Sequence, residues 1–238
     1  MNRECIILAG GLGTRLRSEL PDTPKVMAPV AGRPFLYYVL KWLGKNNATR
    51  IILSLGYKSE VVIDWCSTFE NEKELVYSIE SEPLGTGGAI TQAIQKAVND
   101  EVFIVNGDTL FNVDLDSMMS SHQNYDAELT LALKPMEYFD RYGTVIIDES
   151  MKVRGFEEKG PHNEGLINGG VYLINRDCFN GLRLPEKFSF ETNFLESYFN
   201  QISMYGFVQD TYFIDIGIPD DYRRAQKELK NIYPNSRS

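Results

Sequence analysis

The chain has 238 residues, with 24 Lys and Arg against 33 Asp and Glu, which gives a formal net charge of −9 at pH 7. This acidic balance argues against binding to nucleic acid, because a phosphate backbone is normally met by a clustered excess of basic side chains. The composition, 43% hydrophobic and 24% charged, is that of a globular domain. No apolar run approaches the roughly 20 residues that a membrane helix needs, so we expect no membrane span.

Strand-like and helix-like segments alternate through the first half of the chain. The predicted strands cover residues 5–9, 51–55, 75–79 and 101–105, and the predicted helices cover 34–43, a segment capped by Ser59, and 87–98. Such alternation is typical of a parallel sheet covered by helices. Asn106, Gly107 and Asp108 follow the fourth strand, at the edge where open α/β sheets place their sites.

From residue 127 the predicted strands follow one another with fewer helices between them. They cover residues 128–134, 144–147, 152–156 and 165–174, and helices are predicted at 189–201 and 219–232. We therefore predict a single α/β domain over residues 1–238, a Rossmann-like three-layer sandwich with a mostly parallel mixed central sheet and a small antiparallel lobe. Its parts are two halves, 1–125 and 126–218, and a C-terminal helix and tail, 219–238.

The amino terminus and the cysteines bear on the compartment. Residues 1–4 lead straight into an apolar run, which leaves no room for a signal peptide, so we expect a cytoplasmic protein. Cys5, Cys66 and Cys178 are odd in number and widely spaced, which favours buried thiols over disulfides or a zinc site. With two histidines in the chain, a metal centre built on histidine is not expected.

A glycine-rich loop follows the first strand and is the strongest motif in the chain. Gly10, Gly11 and Gly13 would let backbone N–H groups approach an anion, and Arg15 and Lys25 would add positive charge. The alternative is a tight turn with solvated basic side chains. A dinucleotide fingerprint is excluded because residue 16 is a leucine where that motif needs a third glycine, and the P-loop pattern does not occur.

Six signatures in order resemble the sugar-1-phosphate nucleotidyltransferases. They are GGLGTRL at 10–16 with Pro-Lys at 24–25, EPLGTGGA at 82–89, NGD at 106–108, Glu-Lys at 158–159, NGGVY at 168–172 and FIDIGIP at 213–219. The resemblance covers nearly the whole chain. It implies that residues 1–125 bind a nucleotide and that the lobe in 126–218 binds a sugar phosphate.

In this family the phosphate of a sugar 1-phosphate attacks the α-phosphorus of a nucleoside triphosphate, and pyrophosphate leaves. The resemblance makes Arg15, Lys25 and Asp108 catalytic, and Asp108 and Asp215 the ligands of Mg²⁺, a cation that prefers oxygen. It assigns nucleotide contacts to Leu8, Ala9, Gly10, Gly11, Gly13, Thr14, Arg15, Lys25, Glu82 and Gly87. It assigns sugar-phosphate contacts to Gly143, Glu158, Lys159 and Asn168.

Simpler structural interpretations accompany these assignments. Asp108 could cap a helix near Asp114 or a turn, and Asp215 could cap the approach to the helix at 219. Arg15 and Lys25 could be a solvated pair, Glu158 and Lys159 a charged turn, and Gly143 a turn glycine. Residues 188–191 resemble a helix entry near the sugar end, where Ser189 is predicted to cap the helix and Glu191 is a further candidate.

The choice of base and sugar can be argued in part. Guanine presents two adjacent donors that one carboxylate can accept, so Glu82 favours GTP, unless backbone groups of Gly87 and Leu8 to Gly10 read the base. The short chain is similar to the branch that acts on D-glycero-α-D-manno-heptose 1-phosphate in cell-surface glycan synthesis. Alternatives are a mannose-1-phosphate guanylyltransferase, a uridylyl- or thymidylyltransferase, and a regulatory pseudoenzyme, against which the retained charged residues argue. The resemblance also allows a homo-oligomer.

Overall fold

Helices and strands alternate over the first half of the fold. The computed structural model describes residues 3–11, 23–69 and 73–233. The first elements are β1 (Arg3–Leu8), β2 (Pro29–Val30), β3 (Arg33–Pro34), α1 (Phe35–Lys45), β4 (Ala48–Leu55), α2 (Ser59–Thr68), β5 (Glu74–Ile79), α3 (Gly85–Ile94), β6 (Glu101–Asn106), β7 (Thr109–Phe111) and α4 (Leu115–Asn124). The alternation predicted from the sequence is thus confirmed.

Strands dominate the second half, as predicted. Its elements are β8 (Leu129–Phe139), β9 (Thr144–Ile147), β10 (Val153–Glu157), β11 (His162–Asn175), a π-helical turn (Phe190–Leu195), α5 (Glu196–Tyr198), β12 (Met204–Val208), β13 (Phe213–Asp215) and α6 (Pro219–Ile232). The π-helical turn and α5 replace the single helix predicted at 189–201. The cap of that segment was predicted correctly, because the Ser189 side chain accepts a hydrogen bond from the backbone of Thr192.

The core of the sheet is parallel and buried on both faces. Strands β6, β1, β4 and β5 lie side by side in that order and run parallel. Along β1, Cys5 and Ile7 pack with Trp42 of α1 on one face, and Ile6 packs with Ile90 of α3 on the other. Because both faces are covered by helices, residues 5–8 of this strand form an unbroken apolar run. The α/β sandwich predicted from the sequence is confirmed.

Strand β11 joins this core to the antiparallel part of the sheet. Its last residues, 171–175, pair antiparallel with β6, and it also pairs antiparallel with β8 and β9, while β9 pairs with β10. The expectation of a mixed sheet with an antiparallel lobe is therefore confirmed. Strand β12, which runs parallel to β8, was not predicted because Gly206 interrupts its short apolar pattern.

The end of α3 and the cap of α2 differ from the predictions for identifiable reasons. Helix α3 ends at Ile94 rather than at 98, since the N–H groups of Val98 and Asn99 donate to the carboxylate of Glu4, at 2.8 and 2.9 Å. Helix α2 begins at Ser59, but its capping residue is Lys58 in the left-handed conformation, so the prediction that Ser59 caps it was wrong.

All three cysteines are buried free thiols, as expected. Burial raises the pKa of the Cys5 and Cys178 thiols to about 12 and that of Cys66 to about 11, so all three stay protonated at neutral pH. The helices within residues 3–11, 23–69 and 73–233 are each too short or too polar to cross a bilayer.

Candidate functional site

Three charged residues from distant parts of the chain meet at the carboxyl edge of the sheet. Strands β7 and β13 pair antiparallel with Thr109 opposite Asp215, and the N–H of Ile216 donates to the carbonyl oxygen of Asp108 at 3.0 Å. This pairing brings Asp108 and Asp215 together. The ammonium of Lys25 is hydrogen bonded to Asp108 and lies 3.9 Å from Oδ1 of Asp215. The structure therefore unites these three predicted residues in one cluster.

The electrostatics of the cluster are those of two crowded carboxylates. Burial and then the negative charge of Asp108 raise the pKa of Asp215, while Lys25 opposes the shift. The side chains of Asp108 and Asp215 are 31% and 25% exposed to solvent, so a ligand from solvent can reach both. The pair thus offers concentrated negative charge that one ammonium group only partly neutralises.

The structure gives different answers on whether Asp108 and Asp215 act as caps. Helix α4 is capped by Asp114, whose carboxylate accepts from the N–H groups of Asp116 and Ser117 at 3.0 and 3.2 Å, so Asp108 does not cap that helix. Asp215 accepts a hydrogen bond of 2.7 Å from the N–H of Gly217, while α6 has no side-chain cap. Asp215 therefore fixes its own turn with one oxygen.

A cavity of about 540 Å³ opens beside the cluster between the antiparallel strands and the π-helical turn. We call it the lobe cavity. All four residues predicted to bind a sugar phosphate line it, together with Asp215: Gly143, Glu158, Lys159 and Asn168. Residues of its wall that the sequence did not indicate include Tyr142, Thr144 and Glu196. The cavity joins the predicted sugar-phosphate residues to the acid cluster.

Two residues of the lobe cavity also have clear structural tasks. Asn168 donates through Nδ2 to the hydroxyl of Tyr172 at 2.9 Å and accepts through Oδ1 from the N–H of Gly170 at 3.0 Å. At Gly143 a Cβ atom would collide with the carbonyl oxygen of Glu157, so only glycine fits. The close packing of two strands, rather than a ligand, accounts for this glycine.

Glu80 is a carboxylate beside the glycine loop that the sequence analysis did not single out. Its Oε2 accepts from the N–H of Leu84 at 2.9 Å, and its Oε1 lies 2.6 Å from where a Cβ on Gly10 would be. Glu82, which was predicted to bind the base, is exposed two residues farther on. Glu80 directly follows the strand predicted at 75–79, the same signal that drew attention to Asp108.

Gly87 lies at a tight contact between α3 and the segment that leads into the π-helical turn. Its N–H donates to the carbonyl oxygen of Phe188 at 2.9 Å, and a Cβ would overlap the Phe188 ring. Gly85 and Gly88 are crowded in the same way by backbone atoms of Phe188 and Glu186. These glycines therefore let two segments about a hundred residues apart pack closely.

The remaining predicted contacts divide into two groups. Leu8, Ala9, Gly10 and Gly11 lie at the end of β1, and the N–H of Ala9 donates to the carbonyl oxygen of Ser54 at 2.8 Å. Gly13, Thr14 and Arg15 fall in residues 12–22, outside the described part of the chain. Their roles stay predictions.

A larger depression of about 1090 Å³ lies at the opposite edge of the sheet, away from the cluster. Its main charged side chains already have partners, since Arg3 pairs with Asp116 and Glu4 pairs with Arg50. The lobe cavity and the acid cluster are therefore the stronger candidate site.

Comparisons with known proteins identify the family. A family model described as Nucleotidyl transferase matches residues 4–232. The chain is 54% identical to a D-glycero-alpha-D-manno-heptose 1-phosphate guanylyltransferase of Aneurinibacillus thermoaerophilus, over 96% of this chain and 99% of that one. It is 46% identical to the protein of that name from Campylobacter jejuni, over 92% and 96% of the two chains.

A solved structure of HddC from Yersinia pseudotuberculosis superposes on the fold with a TM-score of 0.88 and 38% identity, over 96% of this chain and 100% of that one. The same protein has been solved in complex with GMP-PN, and that structure matches with a TM-score of 0.86.

Proposed function

Because the chain belongs to the nucleotidyl transferase family, we propose that it transfers GMP from GTP to D-glycero-α-D-manno-heptose 1-phosphate and releases pyrophosphate. The observation that carries the reaction type is the meeting of Lys25, Asp108 and Asp215 beside the lobe cavity, whose wall includes Asp215. The choice of base and sugar rests on the two relatives of that name, which this chain matches over nearly their full length.

The reaction forms a bond between a phosphate oxygen of the sugar phosphate and the α-phosphorus of GTP, and it breaks the bond from that phosphorus to pyrophosphate. The attacking oxygen is already an anion, so the protein supplies no nucleophile and needs no general base. Its task is to hold the attacking and leaving oxygens in line and to neutralise charge. We assign charge neutralisation at the triphosphate to Lys25 and Arg15.

The acid pair suits a divalent cation that prefers oxygen. No group of three or more potential ligands occurs among the described residues, so such a cation would bind Asp108 and Asp215 and complete its shell with phosphate oxygens and water. Mg²⁺ is usually held in this way, by one or two carboxylates together with substrate phosphates. When bound, it would neutralise phosphate charge and help to orient the α-phosphate. We propose Mg²⁺ as the cofactor.

The lobe cavity would receive the sugar phosphate. We assign its phosphate group to Lys159, since an ammonium group binds phosphate as a point charge, and hydroxyl contacts to Glu158. Gly143 and Asn168 would complete this end through backbone and amide groups. A homo-oligomer and a cytoplasmic location remain predictions.

The nucleotide would lie along the loop after β1. We propose contacts from Leu8, Ala9, Gly10, Gly11, Gly13, Thr14 and Gly87 together with the two basic residues. One carboxylate is proposed to accept both adjacent donors of guanine. Glu82 is our assignment for that role, and Glu80, which lies against Gly10, is the alternative that this structure adds.

Pyrophosphate release with Mg²⁺ tests the proposal. GTP, UTP, dTTP, CTP and ATP are each combined with heptose, mannose, glucose and N-acetylglucosamine 1-phosphates. We expect release with GTP and the manno-configured heptose above all other pairs. Turnover with another pair would overturn the assignment of base or sugar, whereas no turnover with any pair would favour a regulatory protein that binds nucleotide sugars.

A further inference from the structure

Glu191 supplies a carboxylate to the wall of the lobe cavity. It lies in the first turn of the π-helical segment and is partly buried. Its Oε2 accepts two hydrogen bonds, from the hydroxyl of Thr86 at 2.8 Å and from the hydroxyl of Ser189 at 3.0 Å. Thr86 belongs to α3, so this carboxylate connects the two segments that the glycines of α3 bring together.

Backbone contacts support the direction of these hydrogen bonds. The hydroxyl of Thr86 accepts from the N–H of Phe190 at 2.8 Å, and the hydroxyl of Ser189 accepts from the N–H of Thr192 at 3.2 Å. Each hydroxyl accepts from the backbone through a lone pair of its oxygen, so its single proton is free to be donated to the carboxylate oxygen of Glu191. Two donors on one oxygen hold the carboxylate in one orientation.

The other oxygen of Glu191 has no donor among the residues that the structure describes. A carboxylate that is held by one oxygen and open at the other is suited to accept hydrogen bonds from a ligand. Tyr172 and Asn168 line the same cavity, and the charge of Glu191 adds to burial in raising the pKa of Tyr172. Glu191 thus lines the cavity together with polar residues of its sugar end.

We propose that Glu191 binds hydroxyl groups of the sugar through Oε1 and so helps to select a polyhydroxylated sugar phosphate, with Thr86 and Ser189 as its positioning residues. This inference rests on the proposed function. A site that hydrogen bonds a substrate hydroxyl discriminates strongly against analogues that lack it. Glu191 would therefore contribute to the choice of sugar and not to the choice of base.

Steady-state kinetics of Glu191→Gln test the contact. The amide can still accept from both hydroxyls but has lost its charge, so kcat/KM for the sugar phosphate should fall about 10- to 100-fold, mainly through KM. The KM for GTP should stay within about twofold, because a contact confined to the sugar leaves the nucleotide unaffected. Glu186→Gln, the same change at an exposed position five residues earlier, should match the wild type.

The positioning role has its own variants. Thr86→Val removes the hydroxyl that orients Glu191, and we expect a rise in KM for the sugar phosphate that is smaller than that of Glu191→Gln. Thr86→Ser keeps the hydroxyl and should restore most of the loss. Equal kinetics for Thr86→Val and Thr86→Ser would contradict the positioning role.

Binding of the product separates this inference from the proposed function. Calorimetric titration should show weaker binding of GDP-heptose to Glu191→Gln and unchanged binding of GDP, which also reports that the variant is folded. If the wild type turns over GTP and the heptose while Glu191→Gln behaves like Glu186→Gln in kinetics and titration, the inference about Glu191 is wrong. If the wild type itself uses no sugar phosphate, the proposed function is wrong and the inference falls with it.

Discussion

The contact between Gly87 and Phe188 makes a sharp prediction about stability. Within a helix, Gly→Ala normally stabilises by about 1 kcal/mol, because alanine has the higher helix propensity. At Gly87, however, the new methyl group would lie 2.6 Å from Cζ of Phe188 and nearer still to Cε2 and Cδ2. Carbon atoms need about 3.5 Å, so the buried ring would have to move by roughly 1 Å or more.

Displacing a packed side chain in this way typically costs about 1–3 kcal/mol. Set against the gain of about 1 kcal/mol in helix propensity, Gly87→Ala should destabilise the protein by up to about 2 kcal/mol in urea denaturation monitored by circular dichroism. The helical control is Gly44→Ala in α1, where the new methyl group would meet the end of the flexible Lys73 side chain. That variant should be neutral or stabilised by up to about 1 kcal/mol.

A second background tests the cause. In Phe188→Leu the ring is absent, so adding Gly87→Ala should no longer destabilise and should show the ordinary gain of alanine in a helix. If Gly87→Ala is no less stable than Gly44→Ala, or if its cost is the same in both backgrounds, the steric argument is refuted.

Three further predictions concern the charged and titratable residues. Asp108→Asn should lower kcat at least about 100-fold. Asp114→Asn, the same change at the cap of α4, should leave kcat unchanged. Near-normal turnover of Asp108→Asn at limiting Mg²⁺ would show that Asp108 is not a ligand of the metal. Glu82→Gln should raise KM for GTP and not for UTP, and an unchanged base preference would pass the role to Glu80 or to the backbone. Burial lowers the pKa of His122 below its ordinary 6.5. On acidification the unfolded chain therefore takes up a proton before the folded chain does, and the free energy of unfolding should decrease as the pH falls below about 6.5. In urea denaturation between pH 7 and 5, the free energy of unfolding of His122→Gln should depend less on pH than that of the wild type, and an equal dependence would contradict this reasoning.

Local patterns were sufficient to predict the elements that lie in the core. The apolar run around Ile6 and the polar residues after β6 led to a mostly parallel α/β sheet and to Asp108 at its carboxyl edge. The π-helical turn after Ser189 was predicted only as a helix, because the apolar spacing of that segment does not distinguish the two.

Contacts between distant segments could not be read from the sequence. Gly87 resembled a residue that approaches a ligand, yet the ring that requires a glycine there is Phe188, which is 101 positions away. In the same way, the motif directed attention to Glu82, while the carboxylate beside Gly10 belongs to Glu80. A motif indicates that a residue type is needed at a position, but the physical reason for it depends on a packing partner that is distant in the sequence.

Strand β11 has a consequence for dividing this chain. Its final residues form hydrogen bonds with β6, whereas its earlier residues pair with β8 and β9. A fragment that stops near residue 125 would leave one side of β6 without its neighbour, and unpaired strand edges promote aggregation. The complementary fragment would carry β11 with an equally open side. A split-protein reporter built on this scaffold should therefore be cut after β11, for example near the exposed Gly181, because β6 and β11 then stay paired on one fragment.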